Sequence, residues 1–252
     1  MKRLLIASVG FALASGSAMA ADLALKAPPP PAPTWTGCYV SGGFGYGMLD
    51  DARTVTGAPF GPVAPSDSAG KGWLGAFGGG CDYQFNGSSI GPIVVGAFGE
   101  YDPMSISGNF GDPVNSSRYG IQNMSAAWYV GARAGVVVLP KLLTYIDGGF
   151  TGANIDQINI LNANGTPAFA RAPYYLPSAS PTGWFIGGGY EYALTFVPIN
   201  GLFWKTEYRF AEYDNYNQNY FHTTPGAATV HNSVDVQTIT SSLVWRFNWT
   251  GH

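Results

Sequence analysis

Lys205, Glu207 and Arg209 occupy alternate positions of one short stretch, and Trp204, Thr206, Tyr208 and Phe210 fill the positions between and beside them. Side chains of a β-strand point alternately to its two faces, so one face here is charged and the other largely aromatic. The same alternation returns along the chain, while Gly and Pro puncture nearly every window in which a helix could run. Eight segments carry it, at about 36–47, 71–85, 91–101, 122–138, 141–152, 183–194, 201–212 and 235–247. In 71–85, Trp73, Phe77, Tyr83 and Phe85 oppose Ala76, Asp82 and Gln84; in 122–138, Trp128, Val130, Val136 and Val138 oppose Ser125, Tyr129 and Arg133. Trp184, Ile186, Tyr190 and Tyr192 oppose Glu191, and Ile239, Leu243, Trp245 and Phe247 oppose Thr240 and Arg246.

The gaps between segments alternate as well. Asn86-Gly87-Ser88-Ser89, Leu139-Pro140 and the Pro198-containing stretch from Thr195 to Asn200 are short turns, whereas 48–70, 102–121, 153–182 and 213–234 are long and polar. That order predicts an all-β fold, an eight-stranded antiparallel transmembrane β-barrel. Its short turns and both chain ends would be periplasmic, and its long loops extracellular.

A water-soluble barrel with an apolar interior is the competing fold, and magnitudes separate the two. Nine charges take the inward parity: Asp82, Glu100, Arg133, Asp147, Glu191, Lys205, Glu207, Arg209 and Arg246. A one-residue slip would turn them to lipid, at about 2–4 kcal/mol per midplane Arg or Lys. Summed, roughly 15 kcal/mol matches or exceeds the whole stability of a typical domain. Only 11% of residues are charged, against about 25% in soluble domains, while aromatics reach 15%. The charges belong inside a membrane barrel. Four positive and five negative side chains then nearly balance in a lumen that eight strands leave just wide enough for side chains. This interior reads as a polar, largely plugged network; a narrow porin-like path for ions or small solutes through the same charges is the alternative.

The chain opens with Met1-Lys2-Arg3, an apolar run from Leu4 to Ala14, and Ala18-Met19-Ala20, the pattern of a secretory signal peptide cleaved after residue 20. Pro28 to Pro31 and Pro33 make 21–34 an extended, Pro-rich periplasmic tether ahead of a barrel domain at 35–252. Export supplies an oxidising compartment. Cys38 and Cys81 fall near the same rim of two neighbouring antiparallel strands, both at outward parity, and a cross-strand disulfide is expected. Because register is not fixed by sequence, two buried free thiols remain the alternative.

Chemistry finds little footing. His222 and His231 lie in the last long gap and His252 at the terminus, with no nucleophile motif around them, so no enzyme is expected; a rim enzyme acting on lipid through them is the weakest reading. Two histidines lack a third metal ligand, and Asp102, Asp112 and Asp156 read as scattered loop acids without calcium-loop spacing. No catalytic residue, metal or cofactor is expected. A net charge of −3 argues against a nucleic-acid partner.

Several stretches resemble the porin-family small outer-membrane β-barrel proteins of alphaproteobacteria, of the rhizobial type. Trp35-Thr36-Gly37-Cys38-Tyr39-Val40 running to Gly43-Phe44-Gly45-Tyr46-Gly47 is similar to that family's first strand, and Gly78-Gly79-Gly80-Cys81-Asp82-Tyr83-Gln84-Phe85 to its second. Lys205 to Phe210 is similar to the penultimate strand, and Trp245-Arg246-Phe247-Asn248-Trp249 to the close. The resemblance implies a Gram-negative outer-membrane protein with a structural, surface-antigen or porin-like role and no catalytic residues. Outer-membrane lipid and lipopolysaccharide would surround it, and periplasmic chaperones and the barrel-assembly machinery would insert it. The loops would meet a further extracellular partner. Trp245, Phe247 and Trp249 are the expected insertion aromatics, with Phe247 or Trp249 as anchor because Thr250-Gly251-His252 extends past them.

Overall fold

A computed structural model describes residues 34–57, 65–87, 89–112, 115–168, 174–221 and 228–247. The expected signal peptide, all of the tether except Thr34, Trp249, His222 and His252 lie outside these residues. The strands are β1 (Gly37–Thr56), β2 (Ser66–Phe85), β3 (Ile93–Gly111), β4 (Arg118–Leu139), β5 (Leu142–Ile155), β6 (Ile158–Asn159), β7 (Leu161–Asn162), β8 (Tyr175–Leu176), β9 (Thr182–Ala193), β10 (Leu202–Tyr213), β11 (Tyr216–Asn219) and β12 (Thr229–Phe247).

Eight of them form a ring. β1, β2, β3, β4, β5, β9, β10 and β12 pair antiparallel in that order, and β12 returns to β1, so the ring closes on itself. Register fixes its slope. From Asp50 the paired residues run Asp235, Glu212, Trp184, Phe150, Val130, Gly99, Gly79 and then Val40, ten positions lower on the starting strand (50 − 40). That stagger is the shear that a closed barrel of tilted strands requires.

The two faces divide as the alternation predicts, within one band. Outward aromatics make an upper girdle of Trp73, Tyr101, Trp128, Phe150, Trp184 and Phe210 and a lower one that includes Tyr83, Phe85, Tyr192, Trp204 and Trp245, all exposed or half-exposed. Paired girdles bounding an apolar band mark the two interfaces of a bilayer. Above the upper girdle the outward side turns polar, with Asp50, Lys71, Ser105 and Glu212.

The sequence reading ended several strands too early. β1 continues through 48–56, β3 through 102–111 and β12 begins at Thr229, all within stretches expected to be loops. Inward positions keep alternating there, as Leu49, Asp51, Arg53 and Val55 are all buried. Their outward neighbours are no longer apolar, so contrast vanishes although the ladder persists. β5, β9 and β10 stop lower, and the small elements fill the rim above them: β7 pairs with β4, and β11 pairs with β12. Ser125 is a second correction. A register shift between Met124 and Ala126 places it on the outer side, where its Oγ donates to Asp156 Oδ1 at 2.8 Å.

The three short connections lie at one end with the start of β1 and the end of β12. Gly201, between β9 and β10, has φ of 77°, and an added Cβ would strike the Arg246 carbonyl. Its own carbonyl accepts the Arg246 N–H at 2.8 Å, which ties this turn to the last strand.

Cys38 and Cys81 are direct register partners near the same end, and their Sγ atoms are bonded at 2.01 Å. The bridge faces outward from β1 and β2 and closes a separation of 43 residues. Titration of the unfolded, unreduced protein with a thiol reagent should therefore find no free thiol. A Cys38→Ser/Cys81→Ser variant should lose about 2–4 kcal/mol against urea; two reactive thiols in the native protein would contradict the bridge.

Candidate functional site: the lumen

The inward parity converges on the barrel axis, and all nine charges named from the sequence are buried there, none more than 6% exposed. Eight of them form two rings of alternating sign, and Asp147 lies beside the second. In the lower ring, Arg133 binds Asp82 through both Nε and Nη2, Asp82 binds Arg246 at 2.7 Å, and Arg246 binds Glu191 at 2.7 Å. Glu191 then returns to Arg133 at 3.4 Å. These residues come from β2, β4, β12 and β9, so the ring ties four strands across the lumen.

The second ring lies above it. Lys205 binds Glu100 at 3.0 Å and Glu207 at 3.3 Å, and Arg209 closes the circuit to Glu100 at 2.8 Å and to Glu207. Asp147 reaches Arg209 at 3.6 Å, and the Tyr145 hydroxyl donates to Glu207 Oε2 at 2.6 Å. Buried ions lose hydration that only close, multiple partners offset, and alternation gives each charge in a ring two. Close backbone approach makes room. At Gly96 an added Cβ would overlap Asp82 Oδ1 and come within 2.7 Å of the Cys81 carbonyl, so a side chain there would push Asp82 off its arginines.

Aromatic faces complete the arginine environments. Arg133 and Arg246 flank Tyr39, at 4.6 and 4.9 Å from its ring centre, and Arg209 lies 4.3 Å from that of Tyr129. Such contacts favour a desolvated cation.

Three features of the lumen escaped the sequence reading. The first is apolar filling: Leu74, Met104, Met124, Phe185 and Val236 pack in one buried cluster, and Val94, Leu143, Phe203 and Val244 in another. The interior is thus mixed rather than simply polar. The second is Trp35, completely buried at the short-turn mouth, with its ring 4.7 Å from Phe203 and its carbonyl accepting from Arg246 Nη1 at 3.1 Å. The third is Asp102, which the sequence pattern places in a loop. It is fully buried on β3, and its carboxylate makes no hydrogen bond among the described residues.

At the opposite mouth, described residues of the extended strands and of the connections pack over the lumen. Arg53 binds Asp51 at 2.5 Å and also donates to Gln122 and Asn232, with its guanidinium 4.3 Å from the centre of the Phe110 ring. This group lies above the girdles, and burial raises the Asp51 carboxyl above the ordinary aspartate range against the pull of Arg53. Over it, Ile158, Ile160, Leu176, Tyr220 and Val230 make a third apolar cluster, with Tyr174 stacked on Tyr220 at 4.9 Å. Asp112 lies in the connection after β3, as expected, yet is buried; the Tyr220 hydroxyl donates to it at 3.2 Å, and burial, then Asp112, keeps that hydroxyl protonated far above the usual tyrosine range.

His231 lies on β12, not in a loop, and its ring nitrogens contact Thr56 Oγ1 at 2.9 Å and Asn217 Oδ1 at 2.6 Å. Among the described residues no group of three or more His, Cys, Asp or Glu side chains is arranged to hold a metal.

The family described as outer membrane protein beta-barrel domain matches residues 10–247. The chain belongs to that family. Membership places this outer-membrane β-barrel in the Gram-negative outer membrane, with the short turns periplasmic and the long connections extracellular. No curated protein matches it. Among solved structures it is similar to Ail, the attachment invasion locus protein of Yersinia pestis, at 13% identity over 84% of this chain and 99% of that one, with a TM-score of 0.36. It is also similar to OprG of Pseudomonas aeruginosa at 9% identity, covering 84% and 97% of the two chains, TM-score 0.44. The outer membrane protease OmpT of Escherichia coli is similar at 12% identity over 85% and 98%, TM-score 0.39.

Proposed function

We propose that this barrel is a structural, surface-exposed component of the outer membrane whose lumen does not pass solutes. One observation carries the reading: two closed rings of alternating charge fill the lumen between the Trp35 cap below and the Tyr174–Tyr220 cluster above. Opening a path would separate at least one buried ion pair, and breaking such a pair one-sidedly costs about 3–5 kcal/mol. The chain has no catalytic role in this reading, because His231 serves the β1–β12 and β11–β12 pairings.

The resemblance to alphaproteobacterial porin-family barrels supports assigning the protein to that type. Residues 1–20 would direct export, and Trp245, Phe247 and Trp249 would be read by the assembly machinery after delivery by periplasmic chaperones. Trp245 and Phe247 pack at 5.7 Å between ring centres on the lower girdle, where an insertion signal is accessible. The upper connections then supply the surface that meets an extracellular partner.

Planar-bilayer recording tests the lumen. The folded barrel should give no conductance steps at moderate voltage; reproducible single-channel steps would replace this reading with the narrow porin-like channel.

A further inference from the structure

The outer wall carries one built hollow at the upper interface. Met48, Ala69 and Ile121 form an apolar floor, and Asp50, Lys71 and Asp235 stand around it, enclosing about 700 Å³. All six face outward, just above the girdle residues Trp73 and Tyr101, at the depth of lipid headgroups.

The charges here are arranged against the protein's own interest. Asp50 and Asp235 are direct register partners on neighbouring strands, and like charges so placed repel. Lys71 pairs in register with Met48, one outward step from Asp50 on the diagonal, a spacing of roughly 7–8 Å. The side chain of none of the three makes a hydrogen bond or ion pair with another described residue. Lys71 is thus an unpaired cation facing outward beside the uncompensated carboxylates of Asp50 and Asp235, with Glu212 in register beyond Asp235, in contrast to the ion-paired charges of the lumen rings.

We propose that this groove holds the headgroup of a zwitterionic aminolipid. Its ammonium would lie between Asp50 and Asp235 and relieve their repulsion, its phosphate or carboxylate would reach Lys71, and its first methylenes would cover Met48, Ala69 and Ile121. A purely anionic headgroup fits less well, since it satisfies Lys71 but adds to the charge of the two aspartates. The inference goes beyond the proposed function and holds whether or not the lumen conducts.

Native mass spectrometry of the folded, full barrel, offered phosphatidylethanolamine or phosphatidylglycerol in detergent, tests it. Two charge-assisted contacts predict at least about tenfold greater retention of phosphatidylethanolamine. Asp50→Asn/Asp235→Asn should abolish that preference, Lys71→Glu should weaken retention, and Lys141→Glu at the opposite mouth should change neither. Each variant is first shown to be folded by its shifted mobility when unboiled. Equal retention of both lipids by the native barrel, or a preference that survives the double aspartate change, overturns the proposal. So does retention confined to a bisphosphorylated glycolipid with Mg²⁺.

Discussion

Replacing Arg209 with Met should lower the unfolding free energy of the barrel by about 3–5 kcal/mol, the largest effect expected of any single lumen change. Arg209 neutralises Glu100, Glu207 and, at longer range, Asp147, and it closes the upper ring. Methionine fills much of the volume against Tyr129 and Phe185, so the loss measures stranded carboxylates more than a cavity. A Glu100→Gln change on the Arg209→Met background should recover part of it, because one stranded charge is removed. Urea titration in detergent gives the free energies, and the unboiled gel band gives an independent melting temperature. Unfolding free energies equal to the native protein's would mean that the upper ring contributes nothing.

Ile146→Arg should be nearly as damaging, for the opposite reason. Ile146 is 68% exposed on the lipid face of β5, between Thr144 and the girdle residue Phe150. A guanidinium there faces hydrocarbon with no counter-charge, at about 2–4 kcal/mol near the midplane. Asp50→Arg, outward but above the girdle, should stay within roughly 0.5 kcal/mol, as surface changes usually do. Refolding into lipid vesicles against a urea gradient distinguishes them. If Ile146→Arg were as mild as Asp50→Arg, the band between the girdles would not face acyl chains.

How much of this was legible follows from where the two faces differ. Lys205, Glu207 and Arg209 against Trp204, Tyr208 and Phe210 gave the maximum contrast, and every inward charge inferred from such contrast is buried in the lumen. Contrast failed in three physical situations. Above the upper girdle both faces are polar, so β1 and β3 were cut short. Where the inward residue is apolar, as at Leu74, Val94 or Val244, it cannot be told from a lipid-facing one, and the apolar filling went unseen. Around Met124–Ala126 the irregular register inverts parity, which misplaced Ser125. The ring circuits themselves depend on shear: nothing local in the sequence says that Asp82 on β2 meets Arg246 on β12. Trp35 carried no parity signal at all, because it precedes the first strand.

The seam between β1 and β12 runs from the Cys38–Phe247 pair to the Thr56–Thr229 pair. It unites the first and last strands of the ring, so closure waits for β12. A nascent chain halted before Thr229 would carry bare hydrogen-bonding groups along both β1 and β10, an invitation to pair with other copies. Such a protein must be kept from aggregating until β12 arrives, which makes termination ahead of that strand far more hazardous here than a missense change in a loop.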